Sequence, residues 1–291
     1  MYRIVTDTSA NLPWDYIEKN GLTVVPFSYR IEGKEYFETA GSFDGPAYYN
    51  SIRGGNVATT SQIPPQRFID AMTPLLENGD DILYVGMSSG ISGAYHSSVM
   101  AAAELKEKYP ERNIRVVDTL AASLGEGILV IRAVEMRALG VTLDNAADAL
   151  EEMKKTVCQL LLVEDLMYLR RTGRVSGVAA VLGSVLGVRP LLKGNQEGQL
   201  VVSAKIRGRG QAIKAMAERY KALVRDPENC IVGIAHADCP KDAETLAGLI
   251  NDAAKPQEII TVCYEPVTGA HTGPSALALF FTGAEDVRYK Y

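Results

Sequence analysis

The sequence predicts an α/β protein of two domains, with an N-terminal parallel sheet that has helices on both faces and a C-terminal α/β domain with a mixed sheet. In the first half of the chain, short β-prone segments alternate with helical segments, which is typical of βαβ units. After residue 155 the pattern changes and includes a hairpin signal. The length of 291 residues suits two domains of about 150 residues each. We therefore expect domains at 1–155 and 156–291.

The first domain contains four predicted strands with helices between them. The strands are 2–6, 23–29, 82–85 and 114–117, and the helices are 65–77, 93–108 and 123–139. Pro110 and Gly140 lie just past two of these helices, where residues that end a helix are expected.

The second domain follows an amphipathic helix at 146–155. Its predicted strands are 157–163, 191–193, 200–205, 230–236, 259–264 and 276–281, and its predicted helices are 164–171, 178–186, 210–224 and 241–253. The turn-rich sequence GNQEG separates two of the strands and indicates a β-hairpin. A mixed sheet is the simplest arrangement of these elements.

Composition and charge exclude several classes of protein. Hydrophobic residues make up 47% and charged residues 22% of the chain, which is typical of a globular protein and not of a disordered one. A net charge of -5 argues against nucleic-acid binding, although Lys205, Arg207 and Arg209 form a short basic run. The longest uncharged stretch, 175–188, is shorter than the roughly 20 apolar residues of a membrane span. The N-terminal segment indicates a strand and not a signal peptide, so we expect a cytoplasmic protein.

Neither a metal nor a cofactor is expected. Cys158, Cys230, Cys239 and Cys263 form no CxxC pair, which favours reduced, packed thiols. The three histidines are scattered and the carboxylates are not paired at metal-binding spacings. The sequence contains no GxxxxGK[ST] motif, and GRGQAI departs from the GxGxxG pattern.

Hydroxyl-bearing residues cluster where the predicted parallel strands end. The groups are Asp7-Thr8-Ser9, Thr59-Thr60-Ser61-Gln62, Ser88-Ser89-Gly90-Ile91-Ser92-Gly93, and Asp118-Thr119 with Ser123. Each group alone has a simple structural explanation as a helix N-cap. Four groups along the edge of one open sheet, where helix N-termini also point, predict a site for an anion such as a carboxylate or a phosphate.

The second half of the chain offers two cationic partners for such an anion. Arg174 follows the predicted end of a helix at Gly173, and His271 lies in a predicted tight turn before the apolar segment 276–281. A surface arginine and an ordinary turn histidine are the alternatives. His96 and His236 are interpreted as structural.

A serine acyl-hydrolase is the alternative function. Gly86-Met87-Ser88-Ser89-Gly90 satisfies the GxSxG pattern on a strand-to-helix turn, which would make Ser88 a nucleophile with Asp238 and His271 as partners. The sequence has no HGGG-type oxyanion segment, which counts against this alternative.

Six ordered segments resemble the DegV family of bacterial fatty-acid-binding proteins over nearly the whole chain. They are IVTDTSANLP, TSQIPPQRF, SSGISGAYHSS, VVDTLAASLGEG, DLMYLRRTGRVS and GAHTGPSALALFF. The resemblance implies a two-domain DegV-like fold. The sequence departs from the family pattern at five positions: Asn11, Ile63, His96, Thr172 and Ser275. Of these, Thr172 and Ser275 replace glycines near Arg174 and His271, so they bear on the geometry of the site.

The resemblance also implies a function and a set of binding residues. The fatty-acid carboxylate would be bound by Thr60, Ser61, Ser92, Arg174 and His271, with Ser89, Gly93, Asp7 and Thr272 as secondary candidates. The segment 178–188 could line the slot for the acyl chain, and ordinary core packing is its alternative.

The resemblance further implies the partners of such a protein. A DegV-like protein would present its long-chain fatty acid to the catalytic subunit of a fatty acid kinase, which makes the acyl phosphate. It would not be an enzyme by itself, and peripheral contact with a membrane would allow ligand exchange.

Overall fold

The computed structural model describes residues 2–37, 43–176, 187–285 and 287–290. Its strands are β1 (Tyr2–Asp7), β2 (Thr23–Val25), β3 (Ser28–Ile31), β4 (Lys34–Phe37), β5 (Thr59–Ser61), β6 (Asp81–Gly86), β7 (Ile114–Asp118), β8 (Val157–Leu162), β9 (Val175–Ser176), β10 (Val188–Gly194), β11 (Leu200–Arg207), β12 (Ile231–His236), β13 (Glu258–Cys263) and β14 (Leu277–Thr282). Its helices are α1 (Trp14–Lys19), α2 (Gly45–Arg53), α3 (Pro65–Glu77), α4 (Ala94–Lys108), α5 (Leu124–Ala138), α6 (Leu143–Met153), α7 (Met167–Arg171), α8 (Arg209–Leu223), α9 (Pro240–Ala253), α10 (Pro266–Thr272) and α11 (Val287–Lys290).

The first sheet is parallel and has the strand order β2-β1-β6-β7. Side chains alternate between the two faces of a strand, so Ile82 and Tyr84 pack with Phe68 of α3 in one core, whereas Leu83 and Val85 join the core on the other face. Helices α3 and α4 cover the first face, and α5 and α6 cover the second. The predicted parallel sheet with helices on both faces is confirmed.

The second sheet has seven strands in the order β13-β12-β14-β8-β10-β11-β9 and is mixed, as predicted. The predicted hairpin is present as the antiparallel pair β10 and β11. Helices α8 and α9 cover one face, and their side chains form a core with Leu160, Ile234 and Leu279 of the sheet. The chain changes from the first sheet to the second between β7 and β8, and a domain boundary near residue 155 stays a prediction.

Helix α5 packs against both sheets. It contacts β1 and β6 of the first sheet and β8, β12 and β14 of the second. Its contacts with the second sheet are so close that a Cβ on Gly233 would lie 2.5 Å from Leu124 Cβ, and a Cβ on Gly125 would lie 2.9 Å from the Phe280 ring. The two glycines therefore allow the helix to pack closely on the second sheet, and its side chains form one hydrophobic core with residues of both sheets.

Two predicted elements are wrong. The predicted strand 23–29 is divided, because Pro26 has no N–H for a sheet hydrogen bond; β2 pairs with β1, and β3 pairs with β4 and β5 in a separate antiparallel sheet. The predicted helix 164–171 begins only at Met167, where the Asp165 carboxylate accepts a hydrogen bond from the Met167 N–H at 2.8 Å. The predicted helix 178–186 lies outside the described residues.

A buried hydrogen-bond cluster joins α5 to the end of β1. The Ser9 hydroxyl lies within hydrogen-bond distance of Asp7 Oδ1 and, at 2.7 Å, of Glu126 Oε2. A hydroxyl has one hydrogen to donate, so one of the two carboxyl groups must carry a proton. Asp7 also accepts hydrogen bonds from the Ser9 N–H, the Tyr84 hydroxyl and the Met87 N–H.

Glu126 is the protonated member of this pair. Its other hydrogen bond among the described residues comes from the Thr6 hydroxyl at 3.1 Å. Burial raises the pKa of Glu126 well above its usual value, and the nearby Asp7 acts in the same direction. The proton of Glu126 therefore completes a chain from Glu126 through Ser9 to Asp7.

We predict that Glu126→Gln folds with a free energy of unfolding within about 1 kcal/mol of wild type, because a neutral amide can donate to Ser9 and accept from Thr6. Glu126→Ala should lose about 2–4 kcal/mol through the cavity and the unpaired hydroxyls. Urea unfolding at pH 4 measures both, because at higher pH wild type carries the additional cost of keeping Glu126 protonated. Equal losses in the two variants would contradict a neutral Glu126.

The pH dependence follows from the same proton. The folded-state pKa of Glu126 exceeds its unfolded value of about 4.3, so its contribution to stability is present below that pH and is lost as pH rises towards the folded pKa. We expect the Glu126→Gln variant to lose less stability than wild type between pH 5 and pH 9. An identical pH profile in both proteins would rule this out.

Candidate functional site

The centre of the candidate site is a hydrogen bond between the two halves of the chain. Thr60 Oγ1 on β5 lies 2.9 Å from His271 Nε2 on α10. Both residues are half-buried. The structure thus brings together two of the predicted binding residues that are 211 positions apart.

The two elements that carry this pair differ from the sequence prediction. Thr60 does not follow a strand of the parallel sheet, but lies within β5 of the small sheet, opposite Tyr29 of β3. His271 lies in the last turn of α10 and not in a tight turn. Two signals in the sequence indicated that helix, namely Pro266 at its first position and Gly273 just past its end.

The surroundings of His271 favour the neutral imidazole. Burial lowers its pKa to about 4, with the charges of Arg174 and Arg171 acting in the same direction. Nδ1 is buried and has no hydrogen-bond partner among the described residues. A neutral imidazole carries one N–H, so the proton is either on Nε2, donated to Thr60, or on the unpartnered Nδ1.

Arg174 lies against the same cavity as His271. The chain leaves α7 through Gly173, whose φ of 70° suits a residue without a Cβ. Thr172 replaces a family glycine without strain, because its own φ is -96° and its hydroxyl donates to the Tyr168 carbonyl at 3.1 Å. The Thr172 carbonyl in turn accepts from Arg174 Nη1 at 2.5 Å. Among the described residues, Arg174 forms no ion pair with a carboxylate.

The cavity behind these polar groups is mainly apolar. Its apolar lining residues are Met87, Ile91, Ala122, Leu160, Leu161, Leu169, Leu200, Tyr264 and Phe280, and its polar lining residues are Ser123, Gln159, Arg174, Thr268, His271 and Thr272. Its volume is about 50 Å³. An apolar cavity with a cation and an imidazole is suited to an amphipathic anion.

Three of the predicted residues lie on the loop between β6 and α4. The Ser92 hydroxyl accepts from the Ala94 N–H at 3.2 Å, and the Ser89 N–H donates to Asp118 Oδ1 at 3.2 Å. Gly93 packs so closely on Gln62 that a Cβ would lie 2.1 Å from Gln62 Oε1. This contact puts the Ser92 loop beside the segment that follows β5.

Of the other predicted residues, Ser61 and Asp7 point away from the Thr60–His271 pair, whereas Thr272 lines the same cavity as His271. Ser61 is exposed, and as the next residue along β5 its side chain points away from that of Thr60. Asp7 is buried in the cluster with Ser9 and Tyr84, where its role is structural. Thr272 lines the cavity, and its hydroxyl donates to the Thr268 carbonyl at 3.2 Å.

The geometry does not supply a serine nucleophile. Ser88 is fully buried, and its hydroxyl donates to the Gly198 carbonyl at 2.9 Å. Asp238 forms an ion pair with Arg53 at 2.5 Å, and His271 bonds to Thr60. The three residues of the suggested triad therefore have other partners.

Sequence reasoning missed several residues of the site. Leu160, Leu161 and Phe280 line the cavity from β8 and β14, but an apolar strand residue carries no signal that distinguishes a ligand wall from a core. Glu265 was missed as well, although an acidic residue directly before Pro266 is a recognisable helix start.

Comparison with known proteins identifies the family. Residues 1–283 match the DegV family, which is described as uncharacterised, and this chain belongs to that family. A DegV domain-containing protein of Clostridium perfringens is 37% identical over 281 residues, which cover 96% of this chain and 97% of the relative. The resemblance stated from the sequence motifs is confirmed.

Two solved structures are similar over almost the whole chain. A fatty-acid-binding DegV family protein from Thermus thermophilus is 27% identical with a TM-score of 0.88, and the match covers 97% of this chain and 99% of that chain. A fatty-acid-binding DegV family protein from Streptococcus agalactiae is 28% identical with a TM-score of 0.86, and the match covers 98% and 99%. The predicted DegV-like fold is thereby confirmed.

Three further findings concern the described residues only. They contain no cluster of histidine, cysteine, aspartate or glutamate that could hold a metal ion. All four cysteines are free thiols. No helix in the described part of the chain is long and apolar enough to cross a membrane.

Ser275 provides a test of the turn that follows α10. It replaces a family glycine and has a φ of 64°, a conformation that strains residues with a Cβ. We predict that Ser275→Gly raises the free energy of unfolding by about 1 kcal/mol, whereas Ser275→Ala, which keeps the Cβ, leaves it unchanged. Urea unfolding measures both, and an equal gain in both variants would contradict the strain.

His271 should remain neutral over the range in which an ordinary histidine titrates. We expect long-range ¹H–¹⁵N spectra to show one imidazole that keeps a neutral pattern from pH 8 down to about pH 5, because burial and Arg174 oppose its protonation. The His271→Gln variant assigns the signal. A titration midpoint near 6.5 would show that these effects are absent.

Proposed function

We propose that this protein binds a long-chain fatty acid, with the carboxylate at Thr60, His271 and Arg174 and the acyl chain in the apolar cavity. The main support is Arg174, a partly buried cation that has no carboxylate partner among the described residues and lines an apolar cavity together with His271. A ligand with one negative charge and an apolar body complements both features.

The energetics favour such a ligand. A buried carboxylate costs several kcal/mol unless charge-assisted hydrogen bonds replace its water. Arg174 offers such bonds, and burial of the acyl chain contributes about 0.8 kcal/mol per methylene, or on the order of 12 kcal/mol for 16 carbons before the costs of association. The apolar chain therefore supplies most of the affinity, and the polar groups fix its orientation.

Thr60 and His271 would act together on the carboxylate. A carboxylate accepts hydrogen bonds and cannot donate them. In the tautomer with the proton on Nε2, His271 donates to Thr60 Oγ1, so the hydroxyl hydrogen of Thr60 is free to donate to the ligand. Ser92, Ser89 and Gly93 lie on a loop that packs on Gln62, directly after β5, and could contribute further hydrogen bonds. Ser61 would contribute only after a change of its orientation.

Binding would also require the cavity to widen. Its volume of about 50 Å³ is far below the roughly 300 Å³ at which small-molecule pockets begin. The acyl chain would therefore displace side chains such as Leu161, Leu200 and Phe280. The suggested slot at 178–188 lies almost entirely outside the described residues and stays a prediction.

The cellular role would be that of a carrier in the cytoplasm. The family resemblance supports presentation of the carboxylate to a fatty acid kinase subunit, with the protein itself not an enzyme, and peripheral membrane contact would serve ligand exchange. Arg170 and Arg171 are exposed on α7, which precedes Arg174 in the chain, and they would offer positive charges to a phosphate donor held by the partner.

The proposal predicts that free fatty acid co-purifies with the protein and that palmitate or oleate raises the melting temperature of the delipidated protein. Mass spectrometry of the extracted lipid and thermal unfolding provide the measurements. An extract without free fatty acid, together with no thermal shift, would refute binding.

Arg174→Ala should weaken oleate binding by about ten- to a hundredfold, because a hydrogen bond to a charged group contributes about 1.5–3 kcal/mol. Arg170→Ala is the matched control, since Arg170 is exposed on the neighbouring α7. Titration with radiolabelled oleate measures both. Equal affinity of the two variants would show that Arg174 does not hold the carboxylate.

A carrier and a hydrolase differ in their reactions. The protein alone should release no p-nitrophenol from acyl esters and hydrolyse no ATP, and it should support acyl-phosphate formation only with a kinase subunit and Mg-ATP. Esterase turnover that is abolished by Ser88→Ala would overturn the proposal.

A further inference from the structure

We propose that Glu265 is a positioning residue of the ligand site, and that its ionised carboxylate fixes the helix that presents His271 to the carboxylate of the ligand. The inference rests on the proposed fatty-acid binding and adds a pH-dependent control of it.

Glu265 is the N-cap of α10. Its side chain is buried and accepts hydrogen bonds from the Val267 N–H at 2.5 Å and the Thr268 N–H at 2.6 Å, one on each carboxylate oxygen. The N–H groups of a first helical turn have no partner within the helix. Because α10 has only seven residues, its first turn determines where its last turn, and with it His271, lies.

The main chain around the cap is held from three sides. The Tyr49 hydroxyl donates to the Tyr264 carbonyl at 2.9 Å, and the Tyr48 hydroxyl donates to the Pro266 carbonyl at 2.7 Å. Asn11 Oδ1 accepts from the Glu265 N–H at 3.4 Å. The contact between α2 and α10 is close, since a Cβ on Gly269 would lie 2.2 Å from the Tyr49 hydroxyl. With the flanking carbonyls fixed, the carboxylate of Glu265 is the part of the cap that can change.

The carboxylate of Glu265 gains or loses its proton within the physiological pH range. Burial raises the pKa of Glu265 to about 7, against the hydrogen bonds from Thr268 and Val267, and the charge of Asp7 raises it further. The titratable groups that face it are acids: Asp7 at the end of β1, Glu126 on α5, Tyr48 and Tyr49 on α2, and Tyr264 after β13. The ionised form accepts both N–H groups, whereas the protonated form directs a hydroxyl at one of them.

Affinity and stability should therefore respond to pH in opposite directions. Affinity for a fatty acid should rise as pH increases through about 7 and the second cap bond forms. The folded-state pKa of Glu265 lies above the unfolded value, so its contribution to stability is lost as pH rises through the same range. His271, with a pKa of about 4, does not titrate in this window. A role of Glu265 in stability alone would not produce a rise in affinity.

The test is binding of radiolabelled oleate to the delipidated full chain from pH 6 to pH 8, with melting temperatures measured in the same buffers. The variants are Glu265→Gln, which has no charge, and Glu265→Asp, which keeps a carboxylate of a preferred N-cap type. Thr142→Ala is the matched control, because it removes the side-chain cap of α6, no residue of which lines the cavity. Titration of the oleate carboxyl itself is common to all four proteins.

We expect wild type to bind about tenfold more tightly at pH 8 than at pH 6, and Glu265→Gln to bind at the weaker level throughout. Glu265→Asp should restore the wild-type slope, and Thr142→Ala should lower the melting temperature without changing that slope. A Glu265→Gln profile parallel to that of wild type, or a wild-type affinity that is constant or falls with pH, would overturn the inference. If Glu265→Gln does not fold, a tenfold rise in affinity from pH 6 to pH 8 in both wild type and Glu265→Asp supports the inference, and an affinity that is constant or falls in wild type contradicts it. Absence of oleate binding by wild type at every pH would instead refute the proposed function.

Discussion

The packing of α5 between two sheets determines the geometry of the whole site. Ala122 and Ser123, directly before α5, line the cavity, so a shift of this helix would change the space available to a ligand. The helix and the second sheet are so close at Gly125 and Gly233 that neither position has room for a side chain. The proton on Glu126 then attaches the same helix to the end of β1. The two halves of the chain are thereby held at a distance that allows Thr60 from one half to reach His271 from the other.

Charges around the site are arranged along α10. The acid Glu265 is at its N-terminus, where the helix dipole stabilises a negative charge by about 0.3–1 kcal/mol. His271 is at its C-terminus, where the dipole would favour the imidazolium. The pKa of His271 is nevertheless lowered, so burial and Arg174 outweigh the dipole. A ligand carboxylate would neutralise the charge of Arg174 and so raise the pKa of His271 again. Arg174 has no carboxylate partner among the described residues.

Sequence patterns with a clear period or a clear terminator predicted the fold well. Helix α3 was predicted at its observed bounds, 65–77, because its apolar spacing is regular and a proline starts it. Segments without a regular period or a terminator were not predicted correctly. Thr60 was selected as a binding residue and lies beside His271, but its strand was not predicted. The three-residue strand β5 is too short to show alternation, and its pairing with Tyr29 depends on contacts distant in sequence. Arg174 and His271 were predicted as two cationic partners of one anion, and the fold places both of them against one cavity. The Asp7 carboxylate was interpreted as part of a ligand site, because a sequence cannot show that Ser9, Tyr84 and Met87 already bond to it.

A crystal structure of the protein with bound palmitate tests the central claim most directly. We predict that a carboxylate oxygen lies about 3 Å from Thr60 Oγ1, that Arg174 contacts the same carboxylate, and that the acyl chain passes between Leu161 and Phe280 with these side chains displaced. A palmitate that lies elsewhere, for example in the cleft lined by Trp14, Phe43 and Cys263, while the Thr60–His271 cavity stays closed, would contradict the account.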